Sequence, residues 1–146
     1  MKKYILIATL AITGVFMSNC NSDDNNNSID YSKYQGTWKA GKVTYEFAGE
    51  VHGPYDFASL PGPDAVCEGD LLKFTENTVQ LIESKKVNDC KETISEGVIQ
   101  GQDIIVLQGK DKQRKIENVT ATEMVVSYDM KMGALDAPIK VTYEKQ

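Results

Sequence analysis

From Thr37 to its last residues the chain alternates apolar and polar side chains with period two, and turn signals interrupt it at intervals of about 8–12 residues. In a strand, residues i and i+2 share a face, so this pattern dictates a half-buried sheet rather than helices. The clearest stretch sets Met124, Val126, Tyr128 and Met130 against Val125, Ser127, Asp129 and Lys131. The last sets Ile139, Val141 and Tyr143 against Lys140, Thr142 and Glu144. Earlier strands run through Trp38 to Phe47, through Leu72 and Phe74, through Val79 and Leu81, and over Thr93–Ile99, Ile104–Leu107 and Gln113–Val119. The inward phase slips by one between Trp38–Ala40 and Val43–Tyr45, which predicts a β-bulge near Gly41.

Eight strands joined by short turns favour pairing in chain order. The expected fold is therefore all-β, an eight-stranded antiparallel up-and-down barrel that removes its own edges by closure, with a β-sandwich as the alternative. Two stretches depart from the rule. Lys85–Asp89 is polar and reads as a turn, and Ala48–Val66 is a long connection rich in glycine and proline, with Tyr55, Phe57 and Leu60 interleaved. Connections of that length are usually functional, and this one reads as a flap over one end of the barrel.

Composition narrows the function. The net charge is −5, there is one arginine (Arg114), and no basic run occurs, so nucleic acid is excluded as a partner. No nucleophile elbow, phosphate loop or metal-ligand helix is present, and the chain reads as a non-enzyme with no cofactor and no metal. His52 is the only histidine, and no ligand spacing links it to Glu50 or Asp56. Glu68 and Asp70 form an acid–base pair in principle, but in so acidic a protein they read as surface carboxylates.

The first residues supply an address. Lys2 and Lys3 precede a mostly apolar run, Tyr4 to Met17, which is too short to span a bilayer. Ser18-Asn19-Cys20 then resembles a lipoprotein cleavage site, which implies residues 1–19 as signal peptide and Cys20 as the lipidated residue. Two or more acyl chains there anchor a protein stably. Residues 20–33 form an acidic tether without apolar anchors up to Ser28. Ser22-Asp23-Asp24 resembles the export signal that sends some lipoproteins to the outer face of the outer membrane, with the periplasmic face as the alternative. Loss of Lys2 and Lys3 on cleavage takes the net charge to −7. With Cys20 lipidated, Cys67 and Cys90 remain as an even pair, and in an oxidising compartment the simplest reading is one disulfide.

Gly36-Thr37-Trp38, preceded by Tyr34, resembles the Gly-x-Trp opening of lipocalins. With the strand count, the cysteine pair and the segment Val119 to Tyr128, residues 34–146 look like the small lipocalin-like domains of bacterial surface lipoproteins. The resemblance implies that Trp38 packs at the closed end of the barrel. The arginine that covers it in the family has no counterpart on the last strand, where only Lys140 and Lys145 are available. The resemblance also implies a monomeric domain holding a small hydrophobic ligand lined by Trp38, Tyr45, Phe47, Tyr55, Phe57, Phe74, Leu81, Val126, Tyr128 and Tyr143. Plain core is the competing reading for these residues. A second functional reading is a surface adhesion or accessory module in which Tyr55, Phe57 and Tyr31 contact a glycan or a protein.

Overall fold

The structure, a computed structural model, describes residues 29–60, 67, 69–87, 89–110, 113–132 and 135–146. The expected signal peptide, the expected lipidation site Cys20, the tether as far as Ser28, and Glu68 lie outside the described residues. Among those residues nine strands form one antiparallel sheet: β1 (Gly36–Phe47), β2 (Glu50–Asp56), β3 (Leu71–Thr75), β4 (Thr78–Val87), β5 (Asp89–Gln100), β6 (Ile104–Leu107), β7 (Arg114–Val119), β8 (Glu123–Met132) and β9 (Leu135–Lys145). β1 and β3 to β9 pair in chain order, and β9 returns to β1 from Trp38↔Lys145 to Tyr45↔Ile139. This is the closed eight-stranded up-and-down barrel, and the register slips between Ala40 and Lys42, where the alternation predicts the bulge. Among the described residues, every sheet pairing and the fully buried core lie between Tyr34 and Lys145.

Two expectations are corrected. The stretch read as a flap begins as a ninth strand, β2, which pairs with the second half of β1 while β3 pairs with the first. Ala48 and Gly49, at φ 53° and 82°, make the two-residue turn between Phe47 and Glu50. Val43↔Tyr55 and Tyr45↔His52 then leave Thr44 facing both Gly53 and Pro54, a bulge that hides the period-two signal. Likewise Lys85–Asp89 is no free loop: β4 and β5 stay paired out to Val87↔Asp89. From Ser84 to Glu92 the sequence holds a single large apolar residue, Val87, so that ribbon carries no alternation to read.

One end of the barrel is sealed. A single 3-10 turn, Ser32–Tyr34, carries Tyr34 under the strands, where its ring meets Phe74 at 6.0 Å and its hydroxyl donates to the Gln102 carbonyl. The Trp38 indole donates to the Tyr34 carbonyl at 2.7 Å, and the Lys145 ammonium stands 5.0 Å from the Trp38 ring centre. A lysine from the last strand thus covers the tryptophan, a position open to it because Trp38 and Lys145 are paired in register.

A Cys67–Cys90 disulfide ties the connection after β2 to β5, and the Cys67 amide donates to the Ser84 carbonyl at 3.1 Å. Loop-closure entropy over its separation of 23 residues gives a stabilisation of roughly 3 kcal/mol.

Candidate functional site

The register stacks the inward side chains in rungs. Val43, Val141, Val126 and Ile116 make one apolar rung, and Ala40, Tyr143 and Met124 lie nearer the sealed end. Trp38, Leu72, Leu81, Ile105, Met124, Val126, Val141 and Tyr143 all round to 0% exposed. An internal void wide enough for water would appear as accessible surface on its lining, so this part of the barrel is filled. Trp38, Leu81, Val126 and Tyr143, anticipated as ligand-lining, are therefore packed core and border no open space, and Phe74 is buried against Tyr34.

Toward the other end the rung changes character. Tyr45, Ile139 and Tyr128 face one another across β1, β9 and β8, and the Lys115↔Ser127 pairing sets Arg114 beside Tyr128. The Arg114 guanidinium lies 4.0 Å from the Tyr128 ring centre and donates to the Tyr143 hydroxyl at 3.2 Å. Only 7% of Arg114 and 6% of Asp70 are exposed. Burial opposes the guanidinium charge, but Tyr128, Tyr143, Asp70 and Glu83 outweigh it and hold the group protonated above its ordinary range. Glu83 is itself paired with Lys110 at 2.6 Å. The buried Arg114 and Asp70 thus lie near the partly exposed Glu83–Lys110 pair, and no buried side-chain nitrogen or oxygen among the described residues lacks a partner.

The sequence reading passed over this network. The alternation alone finds no counterpart for the family's arginine on the last strand and reads Asp70 as a surface carboxylate. A signal existed: Asp70 precedes Leu72, Arg114 precedes Ile116, and Glu83 follows Leu81, each by two residues on the inward phase.

The network fixes a pH response. Burial pushes the Tyr128 hydroxyl up to about 12 and raises Tyr143 well above its ordinary value. Both groups are neutral when protonated, so their stabilisation is full below pH 10, the unfolded value, and is lost as pH climbs through the folded one. Ultraviolet difference absorbance should show two tyrosines that ionise only as the near-ultraviolet circular dichroism collapses. Ionisation of every tyrosine near pH 10 with the fold intact would contradict this.

Beyond this rung the barrel opens. The bulge at Gly53-Pro54 turns both His52 and Tyr55 toward Tyr45, whose ring stacks on them at 5.0 Å and 5.9 Å. His52 is therefore part of an aromatic ladder between β1 and β2. Tyr45, Phe47, His52, Ala137 and Pro138, with Glu46, Ala48, Gly49 and Asp136, line a recess of about 610 Å³. Phe47 is 53% exposed at its rim and Tyr55 46%. Phe57, expected on the surface, is buried in the core, and Tyr31 packs at the sealed end. Tyr31, Tyr55 and Phe57 are thus not brought together. Among the described residues no group of three or more metal-ligating side chains is placed to hold an ion, and no helix is long and apolar enough to cross a membrane.

No protein-family model matches the chain, and no curated protein sequence matches it. Solved structures do. The barrel is similar to the bovine lipocalin allergen Bos d 2, with a TM-score of 0.55 and 12% identity over 81% of this chain and 76% of the allergen. It is similar also to a deswapped triple mutant of bovine odorant binding protein, with a TM-score of 0.53 and 16% identity over 78% of this chain and 74% of that protein. At these identities the likeness is one of fold: the domain is lipocalin-like.

Proposed function

We propose that this protein binds a small hydrophobic ligand at the open end of its barrel, held at the outer membrane by a lipid on Cys20. The observation that carries the binding proposal is the ring-lined recess beside a filled and sealed barrel, where Tyr45, Phe47 and His52 offer apolar area. The bovine odorant binding protein, named for binding odorants, has the same fold. The mature chain acts as a monomeric binding protein and not as an enzyme.

The test is a titration of residues 29–146 with the neutral fluorophore N-phenyl-1-naphthylamine. One saturable site per chain is expected, displaced by a medium-chain alcohol, and Tyr45→Ala with His52→Ala should weaken it about tenfold or more. Absence of saturable binding by the folded, disulfide-intact domain would overturn the proposal. Contact with a glycan or protein through the β1–β2 hairpin then becomes the favoured reading, since Phe47, Val51 and Tyr55 are its exposed apolar residues. Anchoring is tested separately: labelled palmitate should enter the full-length chain in bacteria and not the Cys20→Ser variant, and equal labelling of both excludes Cys20 as the lipid site.

A further inference from the structure

We infer that the ligand of this recess is a compact planar aromatic compound seated against the rings of the mouth, rather than a long alkyl or acyl chain running down the barrel axis. The inference rests on the binding reading above and adds the shape of the ligand. Two observations carry it. The first is how the rings are presented. Tyr45 and Phe47 are alternate residues of β1 and share a strand face, and the Tyr45↔His52 pairing brings the imidazole to that face. The Tyr45 and His52 rings are 5.0 Å apart between centres and 19° from parallel, and both line the recess with Phe47. Phe47 is 53% exposed, so its ring offers open surface. Ala137 of β9 lines the same recess with only a methyl group and leaves width beside the rings. A flat ring extends such a stack, offset or edge-on, and gains from the ring quadrupoles what a saturated body of equal area does not.

The second observation is depth. Inward positions run Phe47, Tyr45, Val43 along β1 and Ala137, Ile139, Val141 along β9. Phe47 stands more than half open, whereas Val43, Ile139 and Val141 are 1%, 2% and 0% exposed. The open space therefore closes within two inward steps of the rim, about 13 Å of strand. A long chain lying along the axis would have to displace Val43, Ile139 and Val141 from a close-packed core. A flat bicyclic compound lies across the rim, against rings already exposed there, and displaces none of them.

Three neutral alcohols of equal carbon count decide the matter: 2-naphthol, decahydro-2-naphthol and 1-decanol, each competed against N-phenyl-1-naphthylamine on residues 29–146. The first two share a skeleton and differ in flatness and aromaticity. 1-Decanol carries the most apolar surface, so area alone ranks it first. The ring stack predicts the reverse: 2-naphthol should bind about tenfold tighter than decahydro-2-naphthol, and 1-decanol no tighter than the latter. Phe47→Leu keeps apolar bulk at an exposed position and removes the ring. It should weaken 2-naphthol about threefold or more and leave decahydro-2-naphthol unmoved, with circular dichroism confirming the fold. Either saturated alcohol binding as tightly as 2-naphthol, or equal weakening of both bicyclic alcohols by Phe47→Leu, overturns this inference and leaves the binding proposal standing. Failure of all three together with N-phenyl-1-naphthylamine overturns both.

Discussion

Arg114→Ala is expected to cost the barrel about 3–5 kcal/mol, the range seen when one partner of a buried charge network is removed. Alanine removes the buried cation that faces Asp70 and Glu83, the second of which is also paired with Lys110. It also strips the stacked partner from Tyr128 and the donor from the Tyr143 hydroxyl. Urea unfolding measures the loss directly through the midpoint. Arg114→Lys should recover only part of it, because an ammonium cannot stack flat on a ring and fork toward two further groups. Arg114→Met is more informative still. If methionine is as damaging as alanine, the missing charge dominates. A loss under about 1 kcal/mol for alanine would mean the cluster is solvated and the filled-floor account is wrong.

Trp38→Ala should be comparably severe, about 3–5 kcal/mol, through a different mechanism. Trp38 is fully buried where β1, β3 and β9 converge, so alanine opens a cavity bounded by strands that cannot collapse without breaking closure. It also orphans the Tyr34 carbonyl, which holds the 3-10 turn across the sealed end, and releases Lys145. Trp38→Phe isolates the polar share: it restores most of the volume and none of the hydrogen bond, so about 1–3 kcal/mol should remain lost. Calorimetric unfolding separates these cases. If Trp38→Ala unfolds within about 1 kcal/mol of the parent, the sealed end does not depend on the tryptophan.

The two substitutions also mark how far the sequence could be read. Strands with one wet and one dry face announce themselves, and Met124–Met130 and Ile139–Tyr143 place β8 and β9 without further help. The bulge near Gly41 is legible for the same reason, since a phase slip in an alternation has few other causes. β2 escaped because its turn is Ala48-Gly49 rather than the usual Asn-Gly, and because the bulge at Gly53-Pro54 breaks its period. That same bulge puts His52 and Tyr55 on the side of Tyr45, so the aromatic ladder could not be read before the pairing was known. Lys145 was visible as a candidate cover for Trp38, but only the β1–β9 register selects it over Lys140. The charge network is the deeper omission. Asp70, Glu83 and Arg114 each sit on an apolar phase, yet they come together only because β7 brings Arg114 against β4 and the residue before β3, some thirty or more positions away in sequence. Composition favoured treating acids as surface, and that prior fails where a lone arginine is turned inward.

The central claim is that the ligand seat lies in the mouth and that the barrel beneath it is filled. Nitrogen–proton correlation spectra of residues 29–146, recorded as N-phenyl-1-naphthylamine is added to saturation, test it most directly. Amide shifts are expected at Phe47, His52, Ala137 and Tyr45, with the Trp38 indole and the Met124 and Leu72 amides unmoved. Shifts centred on Trp38 and Met124, with the mouth unchanged, would show a ligand inside the barrel and contradict the account.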